Sequence, residues 1–345
     1  MPTVRILGIE TSCDENSAAV LYCQKGRVQL LSNIVASSAS TQAKYGGVVP
    51  EQAAREQLKS IIPVITEALN ESGIIKDEID AIAVTYGPGL IGSLLVGVET
   101  AKVLALVWNK KLIAVNHLLG HLYANWIEGS QKQTVSVPKF PIIGLLVSGG
   151  HTDIIEMTPH GKYKYLGGTR DDAAGECFDK CARLLNLSYP GGPQISKLAQ
   201  NGDPSVFDLP KPMLDSGNLD LSFSGLKTAV ANLIKVNPQL LLEGNPNRAH
   251  LAASIEQTIA GVLVKKLEMA VDSSRAKQVM VAGGVAANQK LAQLVRETFQ
   301  DKIVFIPRAD LCTDNAAMIA SAGYFNPVYV DPLKFDADPS LSLAY

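Results

Sequence analysis

The 345-residue chain lacks a charge excess of either sign, a long uninterrupted apolar run and a dense cysteine pattern. Lys and Arg total 31 against 33 Asp and Glu, a net charge of −2. That balance excludes nucleic-acid binding through bulk charge and leaves only a local basic patch for such a role. The longest apolar stretch, Leu94 to Trp108, is broken by Glu99 and Lys102, so no segment reads as membrane-spanning. The cysteines, Cys13, Cys23, Cys177, Cys181 and Cys312, are odd in number and suggest no disulfide framework, which fits a reducing cytoplasmic compartment. The opening MPTVRILGIETSCDE reaches acidic residues too soon for a signal-peptide core and is not Arg-rich like a transit peptide. Two motifs are also missing. Without G-x-x-x-x-G-K-[ST] there is no P-loop. Leu118 after His117 denies the H-E-x-x-H of a metalloprotease its general base.

What is present is a globular composition, 47% hydrophobic and 19% charged, of a length that suggests about two domains. One order of elements occurs twice. Strands are expected at Val4–Ile9, Ala18–Tyr22 and Val28–Ile34, then a helix from Pro50 to Glu71. A strand Ala81–Val84, a Gly87-Pro88-Gly89 turn, a helix to Trp108, a strand Leu112–Val115 and a helix His117–Trp126 complete the half. After a polar linker, Asn125 to Lys139, strands follow at Ile142–Val147, Asp153–Met157 and Tyr163–Leu166, with a helix Asp172–Leu185. The second half ends with strand Val279–Ala282, turn Gly283-Gly284, a helix, strand Ile303–Ile306 and a helix from Thr313. The expected division is a first half over 1–130 and a second over 138–326 with an insertion over 189–274. An irregular tail fills 327–345. A duplicated βββ-α-β-α-β-α unit is an α/β architecture of two mixed sheets covered by helices, with ligand expected between the halves.

Two kinds of residue carry chemistry. Ser148-Gly149-Gly150 ends an apolar strand, where backbone N–H groups can approach an anion without Cβ obstruction. Glu10-Thr11-Ser12 stands at the same place in the first half, and Gly283-Gly284 precedes a helix start. A single Gly-Gly is an ordinary turn, but two turns at matching positions, with a third at a strand-to-helix junction, point to nucleotide binding. Asp171, Asp172 and Asp179 on the following helix are candidates for a hydroxyl ligand or for plain solvated charge. His117 and His121, four apart, put two imidazoles on one helical face. Asp314 starts the corresponding helix of the second half, as a third ligand or as an N-cap. Two His and a carboxylate leave open positions for iron or zinc acting as a Lewis acid. Cys177 and Cys181, also four apart, read as small buried residues.

Taken together, the blocks GIETSCDE, YGGVVPE, GPGLIGSLLVG, NHLLGH, LLVSGGHT, DDAAGECFDK, YPGGP, LSFSGLKTA, VAGGVAAN and CTDNAAMIA, in that order from Ile6 to about Gly323, resemble the TsaD family, the tRNA threonylcarbamoyltransferases. The resemblance implies duplicated RNase H-like domains of the actin-like ATPase, sugar kinase and Hsp70 superfold, with an interdomain cleft. It implies transfer of a threonylcarbamoyl group from threonylcarbamoyl-adenylate to N6 of the adenosine just 3′ of the anticodon in tRNAs reading ANN codons, with release of AMP. Carried over residue by residue, it makes His117, His121 and Asp314 ligands of one divalent metal, with iron favoured and zinc the alternative. It places Leu146, Val147, Ser148, Gly149, Gly150, Asp179, Gly192 and Asn288 on the adenylate, and leaves Glu10 as an acid–base or orienting group. For a bacterial relative it also implies TsaB and TsaE as protein partners; the apolar pattern gives no expectation of a membrane partner.

Two departures stand out. Some relatives carry an acidic residue four positions after the second Gly of YPGGP, where this chain has Ser196, so a hydroxyl rather than a carboxylate contact is expected there. The C-terminal tail DADPSLSLAY is acidic and apolar, not basic. The rival readings are an ATP-dependent kinase of the same superfold, a metallopeptidase, and a nucleotide-dependent scaffold without turnover.

Overall fold

The computed structural model describes residues 3–37, 49–128, 138–242 and 244–343. The chain forms two units, Met1–Val137 with Pro307–Tyr345, and Pro138–Ile306. The first opens with a meander of β1 (Val4–Glu10), β2 (Glu15–Gln24) and β3 (Arg27–Ser37). Helix α1 (Pro50–Ser72), β4 (Ala81–Gly87), α2 (Ile91–Val107), β5 (Lys111–Asn116), α3 (His117–Tyr123) and β6 (Ile127–Glu128) follow. Pro50 at the first helical position of α1 and Gly73 in a left-handed conformation (φ 67°) after its end mark its limits. The expected linker lies largely outside the described residues; within them, Ala124–Trp126 form a buried 3-10 turn.

The second unit repeats the order with β7 (Ile142–Val147), β8 (Thr152–Met157), β9 (Tyr163–Gly168) and α4 (Ala174–Leu184). An insertion carries α5 (Gly191–Ala199), α6 (Ser224–Val236) and α7 (Pro246–Asp272). The unit closes with β10 (Gln278–Ala282), α8 (Gln289–Thr298) and β11 (Ile303–Phe305). The chain then returns to the first unit as α9 (Ala309–Cys312), α10 (Ala316–Phe325) and β12 (Tyr329–Val330).

The two sheets share one topology. The first runs β12-β5-β4-β1-β2-β3-β6 and the second β11-β10-β7-β8-β9. In each, the meander is antiparallel and the next two strands add in parallel on the far side of the first strand. The inner strands of both sheets are apolar almost throughout because helices cover both faces.

The placement of the last helix differs from the expected halves. By order of elements it closes the second half, yet α10 packs on the first sheet. Its sequence AAMIASAGYF is buried nearly all round, as a helix without a polar face must be. Side chains alternate across β1. Leu7 and Ile9 enter the core with Ile61, Ile65 and Val96 of α1 and α2, whereas Gly8 points at α10. A Cβ on Gly8 would come within 2.2 Å of the Ala316 carbonyl oxygen. The sheet thus needs a glycine here to accept the helix. The tail after β12 is largely irregular, as expected, but Phe335 and Leu343 are buried. Its backbone docks on the first unit: Asp338 N–H donates to Tyr86 O (2.7 Å), and Ser342 O accepts from Asn116 Nδ2 (3.0 Å).

Candidate functional site

In the first unit, β5 delivers the chain to α3 at Asn116. Its side-chain oxygen caps the helix by accepting from Leu118 N–H (2.9 Å). One turn apart, His117 and His121 then project together, their ring centroids 4.7 Å apart. Asp314 lies between α9 and α10, and its Oδ1 stands 3.4 Å from His117 Nε2 and 3.2 Å from His121 Nε2. Its carboxylate is not an N-cap: that role belongs to Asn315, whose side chain accepts from Met318 N–H (3.1 Å). The three come together because the chain crosses back into the first unit at Pro307, not because two halves each contribute a helix start.

Glu10, fully buried at the end of β1, stands behind His117. Its Oε2 is 3.1 Å from His117 Nδ1 and accepts from Thr85 Oγ1 (2.5 Å), while Oε1 accepts from Ser12 N–H (2.5 Å). A carboxylate on Nδ1 keeps the proton there and leaves the Nε2 lone pair free for an ion. With both oxygens engaged and no access to solvent, Glu10 has the geometry of an orienting group and not of a proton shuttle.

The donor set fits a metal. One atom from each of His117, His121 and Asp314 lies within 4.8 Å of the others, and imidazole with carboxylate is a set that iron and zinc accept. The electrostatics call for a cation. Burial opposes charge on His117, but Asp314 and Glu10 outweigh it and raise the imidazole to about 9. Burial likewise opposes ionisation of Asp314, yet His117 and then His121 lower it to about 2. Nearby Glu15 is pushed up to about 10 by burial, then by Asp314 and Asp14.

In the second unit the glycine-rich turns form one connected cluster. Ser148 N–H donates to His151 O (2.8 Å), closing the turn after β7, and Ser148 O accepts from Gly175 N–H (3.1 Å). Gly175 must lack a side chain, since a Cβ there would lie 2.8 Å from Gly149 Cα. At Gly283, whose φ is 94°, an added Cβ would likewise run into the Val147 carbonyl oxygen. Behind them, Asp179 Oδ1 accepts from Gly191 N–H (2.7 Å) at the start of α5. Burial raises the Asp179 carboxyl, with partial relief from the N–H groups of Gly191 and Gly192. Asn288 caps α8 by accepting from Leu291 N–H (2.8 Å). The turn faces open space on its other side, since a Cβ on Gly149, Gly150 or Gly284 would meet nothing within 4 Å.

Other candidates fall away. Asp171 caps α6, accepting from Ser222 Oγ (2.5 Å), Phe223 N–H (2.8 Å) and Ser224 Oγ (2.7 Å). Asp172 pairs with Lys180 at 2.6 Å. Cys177 and Cys181 are buried in α4, and no metal cluster includes them among the described residues. Sequence reasoning missed Thr85, Asn116 and Asn315 among the supports of the His–Asp triad, and read Ser12 only as part of a turn. The two Asn carry a legible signal, since each directly precedes a helix. It also missed Glu256. Ser196, which stands where some relatives carry an acid, donates its hydroxyl to the Glu256 carboxylate (2.6 Å).

The TsaD family model, described as tRNA N6-adenosine threonylcarbamoyltransferase, matches residues 29–321. The chain belongs to the TsaD family. It is accordingly an enzyme of the transferase class. The protein of that description from Symbiobacterium thermophilum is 50% identical over 322 residues, 93% of this chain and 91% of the relative. Its counterpart from Geobacillus thermodenitrificans is 47% identical over 350 residues, 99% of this chain and 97% of the relative. Among solved structures, T. kodakarensis HypF superposes with a TM-score of 0.57 at 14% identity, over 93% of this chain and 47% of HypF. The activator of the 2-hydroxyisocaproyl-CoA dehydratase from Clostridium difficile gives 0.51 at 11% identity, over 93% and 94%. At those identities the likeness is one of fold, and it agrees with duplicated RNase H-like domains of the actin-like superfold.

Proposed function

We propose that this TsaD-family protein transfers a threonylcarbamoyl group from threonylcarbamoyl-adenylate to N6 of the adenosine just 3′ of the anticodon, in tRNAs reading ANN codons. The N6 lone pair attacks the carbamoyl carbonyl carbon, the bond from that carbon to the phosphate oxygen breaks, and AMP leaves with the electron pair. The amine proton goes to a base or to solvent. An exocyclic adenine amine is a poor nucleophile, its lone pair being delocalised into the ring. The donor therefore has to arrive activated, and the protein contributes positioning and charge stabilisation.

The observation that carries this reading is the open face of the Ser148–Gly150 turn, backed by Gly175 and Gly283. Such a turn offers backbone N–H groups to a phosphate. Leu146 and Val147 lead β7 into it, and Asp179, Gly192 and Asn288 belong to the elements gathered behind it. His117, His121 and Asp314 would hold one divalent metal. We assign iron, with zinc as the alternative that elemental analysis separates. When bound, the ion supplies Lewis-acid stabilisation of oxygen. Glu10 orients His117 for that role.

No helix of the described residues is long and apolar enough to cross a membrane, and a cytoplasmic location suits a tRNA substrate. Leu58 and Ile62 on α1, with Ile91, Leu95, Val103 and Leu106 on α2, are each 41 to 64% exposed. They are spaced at helical intervals on two helices that pack together. This apolar face supports a protein partner, for which TsaB is our assignment, with TsaE as the accessory ATPase. The variant Leu95→Glu is expected to abolish co-elution with TsaB and to leave the monomer folded.

The reaction is tested by supplying synthetic adenylate and unmodified tRNA, then counting AMP against modified nucleoside. One AMP per modified tRNA supports transfer. With ATP in place of the adenylate, ADP formed at the same rate without tRNA would favour the kinase or ATPase reading.

A further inference from the structure

Three side chains from three elements meet beside the glycine-rich cluster. Glu256 lies nearly three turns into α7, Ser196 sits on α5, and Asn288 precedes α8. Glu256 Oε1 accepts from Ser196 Oγ (2.6 Å) and from Asn288 Nδ2 (2.7 Å), and Asn288 Nδ2 also reaches Ser196 Oγ (3.0 Å). Asn288 is fixed at its other end, because its Oδ1 caps α8. A carboxylate only accepts hydrogen bonds and offers about four lone-pair sites. Both donors from the protein arrive at Oε1, and none of the described residues donates to Oε2. The group is half-buried, held from one side through Oε1, with Oε2 left to an outside donor.

This geometry has a chemical preference. An anchored carboxylate with one free oxygen accepts from a hydroxyl or other hydrogen-bond donor and repels phosphate. Nucleotide sites of other folds use an acidic residue in this way, on a ribose hydroxyl, well away from the phosphate-binding glycines. Here the phosphate-binding turn is Ser148–Gly150, and the carboxylate is linked to it through Asn288, four residues beyond the Gly284 turn.

Resting on the adenylate reading given above, we propose that Glu256 Oε2 accepts a ribose hydroxyl of the adenylate, with Ser196 and Asn288 as positioning residues. Glu256 is then a specificity residue that distinguishes ribonucleotide from deoxyribonucleotide. Hydrogen bonds to charged groups are strong enough that losing one costs about 10- to 100-fold in affinity.

The test is calorimetric titration of the full-length protein with AMP, 2′-deoxy-AMP and 3′-deoxy-AMP, for wild type, Glu256→Gln and Glu256→Ala. The wild type is expected to bind one deoxy analogue about 10- to 100-fold more weakly than AMP. Either substitution should weaken AMP by a similar factor and leave that analogue nearly unchanged, so that discrimination collapses. Glu256→Gln keeps the side-chain shape and an acceptor for Ser196, turning an NH2 toward the ligand. Equal weakening of all three nucleotides would show a structural role through Asn288 and overturn the proposal, as would discrimination that survives both substitutions. A wild type that binds AMP without discriminating overturns the proposal alone. A wild type that binds none of the three overturns the adenylate reading as well.

Discussion

Glu10 illustrates how much a single buried carboxylate can organise. It reaches His117 Nδ1, Thr85 and Ser12 at once, and so couples the end of β1 to β4 and to the first residue of α3. Removing the charge while keeping the shape, as in Glu10→Gln, should lower metal affinity by about 10- to 100-fold, the usual effect of losing such a partner behind a ligand. Competition with a chromophoric chelator measures this, and unchanged affinity would contradict the orienting role. Asp153 on β8 provides a pH-dependent test. Burial raises its carboxyl from 3.8 to about 6, so the folded state holds its proton more tightly than the unfolded chain does. Its contribution to stability is full below pH 4 and is lost as pH rises through about 6. Asp153→Asn should therefore match wild type in thermal stability at the acid end and exceed it above pH 6; a pH-independent difference would contradict this. At this scale the cluster of His117, His121 and Asp314 was legible from spacing and resemblance. Glu256 was not, because nothing in a helix sequence shows which carboxylate will meet a serine sixty residues earlier in the chain.

At the scale of elements, glycine positions decide how closely layers approach. Gly8 lets α10 lie on β1, and Gly97 of α2 donates its N–H to Thr11 Oγ1 (3.1 Å). Gly8→Ala forces the strand and helix apart against a backbone oxygen, which cannot swing aside as a side chain would. A loss of about 1–3 kcal/mol is expected, read from chemical denaturation of the metal-free protein; a neutral result would mean that α10 does not seat as described. Element order was legible in the sequence, because strand and helix periodicities differ and Gly-rich turns separate them. Strand and helix ends shifted by a few residues, where polar flanking residues such as Asn16 and Gln24 continue a ladder that periodicity does not show. The insertion was not legible in detail. Its irregular segment is held by Lys266, a fully buried lysine on α7 whose Nζ donates to Asn218 O (2.7 Å) and Ser216 Oγ (3.1 Å). A lysine in a helix reads as an exposed position until its partners are known.

For the whole molecule, the decisive feature is the return of the chain to its first unit. Counting repeats assigns the last helix to the second half, since order alone does not say which sheet a buried helix covers. The apolar sequence of α10 and the missing side chain at Gly8 both belong to the first. A chain ending at Ile306 should thus keep protected amides in β7–β11 and lose them in β1–β5 by hydrogen exchange. Loss confined to the second unit would contradict this division. The same return brings Asp314 to His117 and His121, so truncation also removes one member of the proposed metal site.

The central claim is that this chain transfers a threonylcarbamoyl group to tRNA and needs the His–Asp centre to do so. The most direct test incubates unmodified tRNA, isotope-labelled threonine, bicarbonate and ATP with an adenylate-forming enzyme, TsaB and TsaE, together with either wild-type protein or His117→Ala. Mass spectrometry of the digested nucleosides reads the product. Labelled threonylcarbamoyladenosine with wild type and none with His117→Ala is the predicted result. Equal product from both proteins would contradict the role given to the metal centre, and no product from either would contradict the transfer itself.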